Sequence, residues 1–212
     1  HDIINTASAI QGLTEMLETD DHLGMLPLDE VQALLKQASV QLIDEIKAQS
    51  QISAAEQGDL TVDPQLLATV PFLMDLIGVY KHHEIAAGRF LQLDPQAEDL
   101  LIQSDRTLLG RVVANMIKNA LEASKPGESV TLGCECAYDR LRISVHNPAV
   151  IPHHVQLQIF QRSFSTKGQD RGLGTYSMKL LAENYLHGKV QFTSTPETGT
   201  KFMVTLPVIW ER

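Results

Sequence analysis

Asn115 and Asn119 stand one helical turn apart in the stretch Arg106-Thr-Leu-Leu-Gly-Arg-Val-Val-Ala-Asn-Met-Ile-Lys-Asn-Ala-Leu-Glu-Ala-Ser124. Leu108, Leu109, Val112, Val113, Met116, Ile117, Ala120 and Leu121 recur with the helical period and would face a core. Arg111, Asn115, Lys118, Asn119 and Glu122 then gather on the opposite face. A solvated helix face ordinarily carries Lys and Glu. Two carboxamides are poorer helix formers, and they supply oxygen ligands suited to a Mg²⁺ ion that bridges nucleotide phosphates. The same residues, taken alone, also fit a plain polar face.

Four segments follow in order: Val145-His-Asn-Pro-Ala-Val-Ile-Pro152, Ile159-Phe-Gln-Arg-Ser-Phe-Ser-Thr-Lys167, Gly168-Gln-Asp-Arg-Gly-Leu-Gly-Thr175 and Gly199-Thr-Lys-Phe202. Glycines let a backbone approach phosphate oxygens without a Cβ clash, and a helix N-terminus attracts anions. Thr166, Lys167, Gly168, Gly172 and Gly174 therefore fit a phosphate-cradling segment that enters a helix, with Lys167 offsetting phosphoryl charge. Phe160 and Phe164 would anchor that segment on apolar surface, or else pack as ordinary core.

With the asparagine helix, these segments resemble the N, G1, F, G2 and final Gly-Thr boxes of the histidine-kinase ATPase domain. That domain belongs to the superfamily shared with gyrase, a heat-shock chaperone and the mismatch-repair MutL proteins. The resemblance runs over residues 60–208. It implies ATP and Mg²⁺ as cofactors, Asn119 as metal ligand, and Asn115 and Lys118 beside the phosphates. It also places Asn147 where the family carries an adenine-binding Asp, supported by Thr200 from the last strand. Here the chain departs from the pattern, because Pro148 and Ala149 stand near the expected glycines and Pro148 restricts the loop. The Asn147 amide oxygen can accept from adenine's amino group, and its NH₂ can donate to a ring nitrogen or water. On that reading the oxygen favours adenine over guanine, whose carbonyl cannot donate.

At the other end, His1-Asp-Ile-Ile-Asn5 resembles the phosphoacceptor box of sensor histidine kinases. A neutral imidazole has one nitrogen free to attack, and a neighbouring carboxylate can hold the proton of the other. The resemblance makes His1 the phosphoacceptor and Asp2 its partner. Asn5 takes the position that, in the family, orients a water for dephosphorylating the partner regulator. An ordinary surface histidine is the alternative for His1.

The remaining sequence must position these groups. The chain has 212 residues, 43% of them hydrophobic, enough for one substantial core and a smaller element. A formal charge of −9 argues against a nucleic-acid surface. The apolar run from Val70 to Tyr80 is broken by Asp75 and too short to span a bilayer, so no membrane contact is expected. Opening at His1 with no secretory leader, the chain reads as the cytoplasmic part of a larger sensor protein. Cys134 and Cys136 lack the further ligands of a zinc site and read as reduced thiols, and His82 and His83 read as surface residues.

Residues 1–18 read as a helix with Ile3, Ile10 and Leu17 seven apart. After a break at Gly24 and Pro27, Asp29 with Gln32 offers a cap for a second helix with an apolar stripe from Val31 to Ile46. Two narrow stripes cannot close a core, but two such hairpins can, which implies a homodimeric four-helix bundle. The stripe fades near residues 53–58, so the domains are expected at 1–58 (dimerisation and phosphoacceptor) and 59–212 (catalytic, ATP-binding).

Beyond the boundary the pattern predicts a strand near 59–62, a helix at 64–87, a strand pair around 89–103 and the asparagine helix at 105–123. A hairpin of 129–137 with 141–146, a helix at 174–186 and strands at 190–195 and 200–206 complete it. The fold class is α+β, a helical hairpin followed by a two-layer α/β sandwich. The implied function is ATP-dependent autophosphorylation of His1 and transfer to an aspartate on a response regulator receiver domain. A catalytically weak scaffold that docks a regulator is the alternative.

Overall fold

The computed structural model describes residues 2–18, 27–162 and 173–210. The chain divides into two compact units, His1–Leu60 and Thr61–Arg212.

The first unit holds α1 (Asp2–Glu18) and α2 (Leu28–Gln57), which contact one another. Thr6, Val31, Ile52 and Ala55 are buried, whereas Leu28, Ile43 and Ile46 remain 51%, 50% and 47% exposed. The expected Asp29 cap is not what starts α2. Pro27 occupies the N-cap position, and its carbonyl accepts from Glu30 N and Val31 N at 3.0 and 3.1 Å. Asp29 and Glu30 instead lie in the first turn, where their charge complements the helix dipole. The helix stops at Gly58, whose φ of 80° is open to glycine without strain.

The second unit runs β1 (Gln65–Ala68), α3 (Thr69–Lys81), a 3₁₀ turn (Glu84–Ala86), β2 (Phe90–Leu93), β3 (Leu101–Ser104) and α4 (Arg106–Ala123). It continues with β4 (Ser129–Ala137), β5 (Arg140–Asn147), α5 (His153–Gln156), α6 (Leu173–Asn184), β6 (Lys189–Thr195) and β7 (Gly199–Pro207). Five strands form one sheet in the order β2-β4-β5-β7-β6, and β1 and β3 form a second, two-stranded sheet. All pairings are antiparallel except β2 with β4.

Along β5, Leu141, Ile143, Val145 and Asn147 are buried and lie on one face of the sheet. Their partners on β7, Leu206, Val204, Phe202 and Thr200, are buried as well. α4 packs against β5, β7 and β4, and α6 against α4 and β6. Helices thus form one layer and the sheet the other. The eight apolar residues named on α4 are all buried, at about 1.5–3 kcal/mol for each large side chain. The helix is started by Asp105, whose Oδ1 accepts from Thr107 N and Leu108 N at 2.8 and 2.9 Å. Its Oδ2 accepts from Asp63 N at 2.9 Å, which ties the start of the unit to the start of α4.

Three sequence expectations fail here. Residues 65–68 are a strand, not the first turn of the 64–87 helix, because they pair with Leu101–Ser104 and α3 begins only at Thr69. Residues 59–62 form no strand. The expected pair within 89–103 does not exist either. β2 pairs in parallel with β4 and β3 with β1, so each strand finds its partner far along the chain. Among the described residues no helix is long and apolar enough to cross a membrane.

Candidate functional site

The polar face of α4 emerges as the periodicity demands. Lys118 is exposed, while Arg111, Asn115 and Asn119 are half-buried. Burial pulls the Arg111 guanidinium below its ordinary pKa, and the Asp105 carboxylate partly opposes this. Asn115 faces the start of α6, since a Cβ built on Gly174 would stand 3.7 Å from Asn115 Oδ1. Among the described residues the Nδ2 of Asn119 is buried with no hydrogen-bond partner. A buried amide donor left unmade costs about 1–3 kcal/mol, which a bound acceptor recovers.

A second orphaned amide sits at the end of β5. Asn147 is 2% exposed, and its Nδ2 also lacks a partner. It closes the apolar row of Leu141, Ile143 and Val145, and is paired with Thr200 on β7, which is paired in turn with Ser194 on β6. Three polar residues therefore line one row across three adjacent strands. The Thr200 hydroxyl donates to Ala149 O at 2.7 Å and lies 2.8 Å from Ser194 Oγ. Ser194 Oγ also accepts from Ile151 N at 2.8 Å. Gln156 Nε2 donates to Ile151 O at 2.8 Å. Thr200 thus supports the backbone of the loop after Asn147 rather than the Asn147 side chain.

Two further contacts hold this corner, and sequence reasoning missed both. Gly199 has φ 70°, and a Cβ there would strike Asn147 O and come within 2.7 Å of Pro148 Cα. His146 Nε2 lies 2.7 Å from Thr198 O in the same turn. Ser194 was missed as well. Its signal was the hairpin register, because a turn of residues 195–199 sets positions 194 and 200 opposite each other.

The other expected site residues divide into two groups. Phe160 meets Phe192 and Phe202 edge-on, with ring centroids 5.8 and 6.4 Å apart, so it packs on the sheet ahead of the glycine-rich segment. A groove of about 200 Å³ beside it is lined by Phe160, Tyr176, Lys179, Leu180, Glu183 and Asn184, and none of the three asparagines borders it. Thr166, Lys167, Gly168 and Gly172, with Phe164, lie outside the described residues, as does His1. Asp2 and Asn5 lie on α1, and their side chains are outside the described set.

Cys134 is buried, with burial raising its thiol pKa and Sγ donating to Glu98 O at 3.0 Å, while Cys136 is exposed. Among the described residues no cluster of three or more His, Cys, Asp or Glu side chains is placed to hold a metal ion. His83 Nδ1 accepts from Ile85 N at the start of the 3₁₀ turn, a structural role.

Carboxamides thus stand on a helix of one layer and on a strand of the other, with a loop fastened by hydroxyls after that strand and a glycine at the entry of α6 beside Asn115. Residues 104–209 match the family described as the histidine kinase-, DNA gyrase B-, and HSP90-like ATPase. Over 205 residues the chain is 28% identical to the sensor protein DivL of Caulobacter vibrioides, covering 94% of this chain and 26% of that protein. The chain spans between 23% and 30% of the length of the curated relatives it matches, which are named as sensor proteins and sensor histidine kinases.

Among solved structures, the histidine kinase AdeS of Acinetobacter baumannii superposes with a TM-score of 0.79 at 16% identity, over 98% of both chains. The histidine kinase ThkA, in its complex with the response regulator protein TrrA, gives 0.71 at 19% identity over 98% of this chain and 59% of that one. Both likenesses speak to the fold. With the matched span covering half the chain, the protein belongs to the histidine kinase-, DNA gyrase B- and HSP90-like ATPase family.

Proposed function

We propose that the chain is the catalytic core of a two-component sensor kinase, which phosphorylates its own His1 from ATP and passes the phosphoryl group to an aspartate of a response regulator receiver domain. The observation that carries this reading is the pair of buried, unpartnered amide nitrogens on Asn119 and Asn147. Two such orphans in one small domain are costly unless a polar ligand completes them.

The residues fit a metal-nucleotide. Asn119 would hold Mg²⁺, which when bound offsets the charge of the phosphates. Asn115 and Lys118 flank the phosphates on the same face of α4. Backbone N–H groups at the entry of α6, with Thr166, Lys167, Gly168, Gly172 and Gly174, cradle the phosphate tail. Asn147 reads the base, with Thr200 holding its loop. Phe160 packs against Phe192 on β6 and Phe202 on β7, ahead of the glycine-rich segment. His1 attacks with a neutral ring nitrogen while Asp2 holds the proton of the other, and Asn5 serves the reverse, dephosphorylating reaction. Catalysis is then mostly positioning and electrostatics.

Exposed Leu28, Ile43 and Ile46 on α2 support a second copy of the chain as the partner of the helices, in a four-helix bundle at the cytoplasmic end of a larger sensor. Incubation with γ-labelled ATP tests the reading. Label that survives base and is lost in acid is the expected result. Acid-stable label would reassign the chain to hydroxyl phosphorylation, and absence of both label and nucleotide binding would leave a regulator-docking scaffold.

A further inference from the structure

We propose that Asn147 makes the base end of this site a two-way purine reader, one that accepts a 6-oxopurine nucleotide as well as a 6-aminopurine one. The inference rests on the nucleotide-binding reading above. A carboxamide carries a donor and an acceptor side by side, and half a turn about its last bond exchanges them. A 6-aminopurine offers an N–H at position 6 and a ring-nitrogen acceptor at position 1. A 6-oxopurine offers the reverse, a carbonyl acceptor and an N1–H donor. Each edge matches one orientation of the amide through two hydrogen bonds. A carboxylate has acceptors only, so it suits the amino group and repels the 6-carbonyl.

Whether the amide is free to turn depends on what surrounds it, and the surroundings leave it uncommitted. Its Nδ2 has no protein partner. The hydroxyls of Thr200 and Ser194 are engaged with the loop backbone, Thr200 donating to Ala149 O and Ser194 accepting from Ile151 N. Rotation of the amide, rather than a fixed protein bond, then decides which of its atoms meets an entering base. The sequence alone suggested an oxygen turned toward adenine. The orphaned nitrogen removes that preference.

Calorimetric titration of the chain with Mg²⁺-ADP and Mg²⁺-IDP tests this. Inosine carries the 6-carbonyl without guanine's extra amino group. Affinities within about tenfold of one another are expected, a difference smaller than one hydrogen bond of this kind. Asn147→Asp is expected to keep ADP and weaken IDP by about tenfold or more relative to it, and Asn147→Leu to weaken both. Tight ADP with IDP weaker by about a hundredfold or more in the unaltered chain would overturn the proposal while leaving the ATP reading in place. Unchanged affinity for both in Asn147→Leu would overturn it too. Binding of neither nucleotide would overturn both readings. The native comparison needs no variant, so a variant that fails to fold does not decide the matter.

Discussion

Ser194 Oγ stands 2.8 Å from Thr200 Oγ1, and these two hydroxyls are the middle of a chain that begins at Ile151 N and ends at Ala149 O. An N–H donates to Ser194, Ser194 to Thr200 and Thr200 to a carbonyl, so each hydroxyl accepts once and donates once. The loop after Asn147 carries Pro148 and Pro152. It is thus held by restricted torsions at both ends and by hydroxyls in the middle. A fastened loop fixes the position of the Asn147 backbone before any ligand arrives.

Ser194→Ala should leave Ile151 N–H without its partner, at a cost of about 1–3 kcal/mol, and loosen the loop. Nucleotide affinity should fall several-fold while the rate at saturating ATP changes little, because the residue acts on binding through the loop. Ser194→Thr should restore both. Steady-state autophosphorylation across ATP concentrations checks this, and a fall in rate at saturation with unchanged affinity would sink it.

Gly199→Ala should destabilise the second unit. Its φ of 70° strains any side chain, and the added methyl meets Asn147 O and Pro148. A loss of about 1–3 kcal/mol is expected, which lowers the melting temperature by roughly 2–10 °C. Thermal unfolding followed by circular dichroism gives the answer directly. An unshifted melt would mean that the turn relaxes at no cost.

Asn119→Ala should slow autophosphorylation by about a hundredfold or more, through loss of one oriented electrostatic contact. The folded stability of the variant should hold or rise slightly, since a buried unpartnered amide disappears with the substitution. Rates measured across Mg²⁺ concentration distinguish a metal ligand from a packing residue. A variant that responds to Mg²⁺ as the parent does would remove Asn119 from the metal site.

His1→Gln should abolish acid-labile label and leave nucleotide binding intact, because the two activities lie in separate parts of the chain. Asp2→Asn should slow labelling without affecting the fold. Mass spectrometry of the labelled parent locates the phosphoryl group, and its appearance on any of the other histidines would reassign the acceptor.

What the sequence determined by itself were the features whose information is local. The period of Leu108 to Leu121 placed α4 and its polar face. Alternation and a Tyr138-Asp139 turn gave the β4–β5 hairpin, and the Gly199 turn gave β6 and β7, because antiparallel neighbours are encoded by adjacent segments. The order of motifs named the ATPase domain before any coordinate did. Tertiary structure decided where distant strands pair. Leu66 and Leu67 fit a helix as readily as a strand, and only Leu101–Ser104, some 35 residues on, drew them into β1. The parallel partnership of β2 with β4 was equally invisible, since it depends on a crossover rather than on any turn. The state of Asn147 belongs to the same class. Its type is written in the chain, but its burial, its unpartnered nitrogen and the two hydroxyls that turn away from it arise only when three strands are brought side by side.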